Sequence, residues 1–261
     1  QPLAVVDHLQ FGNPSNPEVY WTFKETVRGI TDYLSAVKVA CVGGKVSFYN
    51  EDAESGTAIK PSPVISAIGL VENQTPPIRE AFTGKGNDVI IVGETGPEMG
   101  GSEYYEHIHR VTGGTVPRVR LKTEKKLLAA IVRTLRSNLV LSAHDCSKGG
   151  LAVTLSEMAI KSGRVGFKVN LDKLPGKVSR TDERLFSESH SRFILETERR
   201  QTNRLIQSFR RIGIPVGKLG DTTNDQHLSF GDKMQTFRLD LSKACDMWGR
   251  TIPEIMEAPS H

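Results

Sequence analysis

The chain has 261 residues, of which 38% are hydrophobic and 25% charged, and its net charge is +4. This composition fits a globular protein with room for two domains of ordinary size and excludes a disordered chain. The charges are scattered, and the short clusters at Lys125-Lys126, Arg199-Arg200 and Arg210-Arg211 read as solvated helix faces; with no basic stripe interleaved with aromatics, nucleic acid is not an expected partner.

In chain order, residues 2–7 read as a strand that ends on an acid, Asp7. Asn16-Pro17 then opens a helix, with Asn16 as N-cap and Pro17 at the first helical position. Its inward stripe is Val19, Phe23, Val27, Ile30 and Leu34. A buried strand is predicted over 37–42, and further strands over 63–71 and 88–92, with a Pro-rich turn at Thr75-Pro76-Pro77 between them. Gly113-Gly114-Thr115-Val116-Pro117 has the composition of a boundary, which divides the chain into domains 1–117 and 118–261. Beyond it, Thr123 is expected to cap a helix to about residue 138. A strand over 139–142 leads into Asp145-Cys146-Ser147-Lys148-Gly149-Gly150 and a helix to about 162. Strands are predicted over 165–171, 192–197, 216–220 and 235–239, with helices over 198–212 and from 242 onward. Strands and helices alternate in both halves, so the fold class is α/β or α+β.

The chemistry gathers in a few segments. Gly43-Gly44-Lys45-Val46-Ser47 follows the strand over 37–42, so backbone N–H groups, the Ser47 hydroxyl and the Lys45 ammonium can meet an anion. A plain tight turn is the alternative. Asp7, at a strand end, suits a metal or a nucleotide hydroxyl, or simply a turn cap. At Asp145, Gly149 and Gly150, an open helix N-terminus favours an anion, and Asp145 suits a metal that bridges to phosphate. The bland reading is a capped helix with close-packing glycines. Glu188 and Arg192, flanking a serine-rich turn, read as a structural salt bridge. His107 and His109 lack the spacing of a zinc site. The three cysteines, Cys41, Cys146 and Cys245, form no disulfide or metal pattern and fit a reducing cytoplasm. No apolar run reaches membrane-spanning length, no signal peptide is visible, and a start at Gln1 within a strand reads as a fragment of a longer polypeptide.

Five segments stand in one order: Val6-Asp7-His8-Leu9-Gln10-Phe11-Gly12; Gly43-Gly44-Lys45-Val46-Ser47-Phe48-Tyr49-Asn50-Glu51; Gly100-Gly101-Ser102-Glu103-Tyr104; Asp145 to Ala152; and Leu185 to Phe193. Together they resemble the synthetase subunits of phosphoribosylformylglycinamidine synthase, in the PurM-like superfamily. The resemblance is to the C-terminal half and covers almost the whole chain. It implies a PurM-like N-terminal-type domain, truncated at its start, followed by a PurM-like C-terminal-type domain.

The resemblance implies a carbon–nitrogen ligase of purine biosynthesis. Such enzymes use ATP, Mg2+ and glutamine-derived ammonia to convert formylglycinamide ribonucleotide to formylglycinamidine ribonucleotide. Asp7 and Gly44 match ATP contacts and Ser47 a substrate contact. Lys45 replaces a family Asn that helps hold magnesium, and its charge then faces phosphate instead, since an ammonium cannot ligate a metal. His8 and Gln10 also replace the commoner Cys and Asn. The family's catalytic histidine belongs to the first half, so no catalytic residue is expected here and the isolated chain should be inactive. Asp145, Gly149 and Gly150 match an auxiliary nucleotide site. Implied partners are the N-terminal half of the same polypeptide, a glutaminase subunit, a small bridging subunit and, through exposed sheet edges, a second copy; the implied compartment is the cytoplasm. The alternatives are a non-catalytic nucleotide-binding half, or another PurM-like ATP-dependent enzyme. The reading requires that Asp7, Gly44 and Ser47 share one cleft.

Overall fold

The structure is a computed structural model that describes residues 2–71 and 77–257. The chain forms two compact units, Gln1–Pro76 and Pro77–His261. Thr75 and Pro76 of the expected Pro-rich turn lie outside the described residues.

The first unit is a three-stranded sheet with one helix. Strand β1 (Pro2–Gln10) is central, parallel to β2 (Ala40–Ser47) and antiparallel to β3 (Ser62–Gly69). Helix α1 (Pro17–Val37) begins as its sequence dictates: the Asn16 side chain accepts from the Glu18 N–H at 2.9 Å, and Pro17 follows. Alternation along β1 buries Val5 and Leu9 and, just beyond, Phe11, which meets Phe23 of α1 edge-to-face at 5.3 Å. Helix α1 runs through residue 37, so β2 starts later than predicted and carries Gly43, Gly44 and Lys45 inside the strand. Neither glycine has a positive φ. The glycine loop read from the sequence is therefore extended backbone at a sheet edge.

The second unit is built on a seven-stranded sheet of order β10-β9-β6-β8-β4-β7-β5. Its strands are β4 (Asp88–Val92), β5 (Ser142–Asp145), β6 (Gly166–Asn170), β7 (Phe193–Thr197), β8 (Val216–Thr223), β9 (His227–Gly231) and β10 (Thr236–Asp240). Its helices are α2 (Leu121–Leu135), α3 (Gly150–Ser162), α4 (Thr181–Phe186), α5 (Thr202–Arg210) and α6 (Leu241–Glu257). Strand β4 shows how the layers form: Val89 and Ile91 enter one core with α3, while Ile90 and Val92 enter the other with α2 and α5. A strand buried on both faces reads as a continuous apolar run, which is why 88–92 was legible. No helix among the described residues is long and apolar enough to cross a membrane.

Several expectations change. Strand β4 pairs with β7 and β8, so residues 77–117 fold with the second unit rather than ending a first domain at 117. The Gly113-Gly114 pair is a close crossing and not a linker: Gly100 N–H donates to Thr115 O at 2.8 Å, and a Cβ on Gly100 would strike Gly114 at 2.5 Å. Thr123 lies inside α2, whose N-cap position is Arg120 with no side-chain cap. Strand β5 covers Ser142–Asp145 rather than 139–142. Strand β9 and helix α4 were not predicted.

Candidate functional site

In the first unit, parallel pairing sets Asp7 beside Gly44 and Gln10 beside Ser47. A Cβ on Gly44 would collide with the Asp7 carboxylate, so glycine is the residue this contact admits. Asp7 points to the α1 face. It lines a cavity of about 520 Å³ with Leu9, Ile30, Leu34, Lys38 and Cys41. Cys41 Sγ lies 3.8 Å from Asp7 Oδ2 and 3.4 Å from Gly43 O.

Strand alternation turns His8, Gln10, Lys45 and Ser47 to the other face. The structure thus joins Asp7 to Gly44, and sets Lys45 and Ser47 together, but on opposite faces of the β1–β2 pair. Ser47 does not line the Asp7 cavity. The expected single cleft is replaced by the two faces of the β1–β2 pair, because Ser47 stands an odd number of residues beyond Gly44. Among the described residues strand β2 has no partner on its outer side, so alternate backbone N–H groups there are open to a ligand.

The sequence reading missed Asn50 as the residue that shapes this edge. Its Nδ2 donates to Phe11 O at 3.0 Å and to Ser47 O at 2.9 Å, and its side-chain amide lies 3.3 Å from the Ser47 hydroxyl. Its own N–H donates to Phe11 O at 3.1 Å. The preceding Tyr49 holds a left-handed φ of 59°. Glu51 accepts from Asn13 N–H at 2.7 Å. The signal was present in the Ser47-to-Glu51 motif: Asn next to a residue in a tight turn is a backbone-binding side chain.

A magnesium ion beside Gly44 would take Asp7 as its one carboxylate and a nucleotide's phosphates for further oxygens. Asp7 is a single carboxylate and Lys45 an ammonium, and no three His, Cys, Asp or Glu side chains gather to hold a metal among the described residues.

In the second unit, β5 delivers Asp145 to the start of α3. Gly149 and Gly150 have φ of 73° and 64°, and a Cβ on Gly150 would strike Ser187 O at 2.5 Å. Gly149 N–H donates to Glu188 Oε1 at 2.9 Å, and Glu103 N–H donates to the same oxygen at 2.9 Å. Glu188 therefore does not pair with Arg192 as expected. Arg192, 1% exposed, donates to Ser187 O at 2.5 Å, Ser189 O at 2.9 Å and Thr95 Oγ1 at 3.1 Å. Burial pushes its guanidinium below the usual arginine range. Asp145 is exposed and stands 3.3 Å from His144 Nδ1. With Ser147, Glu188 and Arg192 it borders a cavity of about 480 Å³.

Comparison with known proteins places this geometry in a lineage. Residues 1–71 match the family model described as AIR synthase related protein, N-terminal domain, and residues 84–233 match its C-terminal domain. The chain is 37% identical over 257 residues to phosphoribosylformylglycinamidine synthase subunit PurL of Methanothermobacter thermautotrophicus, covering 98% of this chain and 34% of that protein. It is 42% identical over 223 residues to the same subunit of Thermococcus kodakarensis, covering 84% of this chain and 30% of that protein. The chain thus spans about a third of the length of these curated relatives. Two solved structures of Thermotoga maritima PurL, complexed with FGAR and with ATP, superpose with TM-scores of 0.77 and 0.71 at 20% identity. Each covers 94% of this chain, which matches 40% and 38% of those chains respectively. At that identity the likeness establishes the fold.

Proposed function

The chain belongs to the AIR synthase related family, and from that premise we propose that it is the C-terminal part of a PurL-type synthetase, an ATP-dependent ligase of purine biosynthesis. The observation that carries the reading is the Asp7–Gly44 pair, an acid seated against a position that only glycine fills, on an edge strand with open N–H groups.

The two faces of β2 then serve two ligands. ATP lies on the Asp7 and Gly44 side, with the apolar walls of Leu9, Ile30 and Leu34 available to its base. Formylglycinamide ribonucleotide is held by its own phosphate at Ser47 and Lys45 on the other side, and its amide reaches round the open edge of β2 to the ATP side, where the transfer takes place. The γ-phosphoryl group passes to the amide oxygen of the substrate and ADP leaves. Ammonia adds to the activated carbon, and loss of phosphate gives the amidine. Such a reaction asks for charge neutralisation and in-line placement more than for a protein nucleophile. No catalytic residue is assigned to this chain; the remaining two thirds of the polypeptide supply the proton-transferring group and complete the site. A glutaminase subunit supplies the ammonia, and a small bridging subunit joins the two. A nucleotide at the second unit would be met by Asp145, since Gly149 is already engaged.

The reading is tested in the full-length protein. Asp7→Asn should raise the KM for ATP, and Ser47→Ala the KM for formylglycinamide ribonucleotide, both with unchanged thermal stability. Loss of stability without any change in either KM would assign both residues to the fold instead. The 261-residue chain alone should show no ammonia-dependent turnover.

A further inference from the structure

Away from both regions above, the second unit carries a groove of about 510 Å³ between α5, β8 and the short turn after β6. Its cationic side chains are Lys173, Arg210 and Lys218, and no acid lines it. Lys218 is committed: its ammonium lies 2.8 Å from Asp88 and 3.4 Å from Asp221. Lys173 and Arg210 are not, and neither enters an ion pair among the described residues. Asn170 at the rim accepts from Asp172 N–H at 2.8 Å through Oδ1, which leaves its side-chain NH2 group to donate. Every uncommitted side-chain group in the groove is therefore a donor. Beside these donors lie Ile206 and Val216, apolar side chains of the core under α5, while Leu219 packs into the opposite core.

Donors without acceptors, set beside apolar side chains, call for an amphiphilic anion. The volume is that of a small-molecule site. Lys218 is balanced by acids, as Lys148 is by Glu103 at 2.7 Å and Lys161 by Glu80 at 2.5 Å elsewhere in this unit, whereas Lys173 and Arg210 are not. We propose that this groove binds a phosphorylated small molecule of mononucleotide size. Its phosphate sits on Lys173 and Arg210, and its ring lies on Ile206 and the edge of Val216. This site is separate from the Asp7–Gly44 edge and stands or falls without it.

The test is calorimetric titration of the 261-residue chain with AMP, inorganic pyrophosphate, adenosine and a short oligonucleotide, alongside the amide spectra of Gly217 and Gly220. AMP should saturate, shift both amides and bind more tightly than pyrophosphate, and adenosine should not bind. Arg210→Glu and Lys173→Glu should each weaken AMP by about tenfold or more, the scale of one charge-assisted hydrogen bond. Lys243→Glu, on the exposed face of α6, should leave it unchanged. If a reversal perturbs folding, Arg210→Gln and Lys173→Gln take its place with the same expectation. No saturation by AMP, equal binding of adenosine, indifference to both substitutions, or tighter binding of a short oligonucleotide than of AMP would each overturn the assignment.

Discussion

Gly149 N–H and Glu103 N–H both donate to one oxygen of Glu188, each at 2.9 Å. The start of α3, which its sequence presents as an open seat for an anion, is closed by the chain's own carboxylate. The turn that carries Glu188 is held on both sides. Arg192 takes the carbonyls of Ser187 and Ser189, Ser187 Oγ donates to Gly96 O at 2.7 Å, and Gly96 N–H donates to Ser189 Oγ at 3.0 Å. A buried guanidinium with carbonyl partners thus positions a carboxylate four residues away in the turn.

Removing that carboxylate should cost stability. Glu188→Ala leaves two backbone donors without their acceptor, a loss of about 1–3 kcal/mol for partly buried groups. Glu188→Gln keeps an acceptor oxygen and should lose less than half as much. Urea unfolding of both variants checks the ranking; equal losses would mean that charge, rather than the accepted bonds, matters.

The Asp7–Gly44 contact predicts a coupled pair. Gly44→Ala drives a methyl into the Asp7 carboxylate and should cost about 1–3 kcal/mol as overpacking strain. Asp7→Ala removes the nearest obstacle, although Asp7 O would still lie 3.0 Å from the new Cβ. The double variant should therefore be more stable than the sum of the single losses by about 1 kcal/mol. Additive losses in a double-mutant cycle would place the collision in the backbone instead.

The start of α1, strand β4 and the glycine start of α3 were legible because local rules and packing agree there. Asn16 caps, Pro17 starts the helix, and 88–92 is apolar throughout. The strand β2 was misread because Gly43-Gly44 has the composition of a loop. What keeps it extended is pairing with β1, which lies more than thirty residues away in sequence. The same long-range register decides which face Ser47 occupies. Strand β9 offers only Leu228 and Phe230 as an alternating pair, and its partners β6 and β10 supply the rest of the signal. Glu188 was assigned to Arg192 by proximity along the chain; in the structure, its side chain reaches across to α3.

His144 gives the second unit a pH dependence. Its Nδ1 lies 3.3 Å from Asp145 Oδ1 and its Nε2 3.2 Å from Glu157 Oε2. The hydrogen bond to Asp145 holds the imidazole above its ordinary value of 6.5, against burial and Lys161. The same bond holds Asp145 below the ordinary 3.8. A raised histidine contributes stability that is complete below pH 6.5 and fades as pH climbs through the higher folded value. A lowered carboxylate contributes above pH 3.8 and fades as pH falls through its lower folded value. The pair is therefore strongest between those limits. His144→Gln should flatten the alkaline decline in unfolding free energy while leaving the protein folded at pH 8; an unchanged slope would remove His144 from the account.

Glu196 is fully buried and enters no ion pair among the described residues; neutral donors satisfy it instead. Ser142 Oγ donates to it at 2.7 Å, Asn87 Nδ2 at 2.7 Å, Thr83 N–H at 2.9 Å and Thr83 Oγ1 at 3.1 Å. These bonds tie the segment that leads into β4 to strands β5 and β7, so the core of the second unit is closed by one carboxylate. Ser142→Ala removes one charge-assisted bond and adds no bulk, and should cost about 1.5–3 kcal/mol. Ser142→Cys, a weaker donor of similar shape, should fall between the two. Denaturant melts that place Ser142→Ala within 0.5 kcal/mol of the parent, the range of a surface substitution at about that scale, would show that the remaining donors satisfy Glu196 without it.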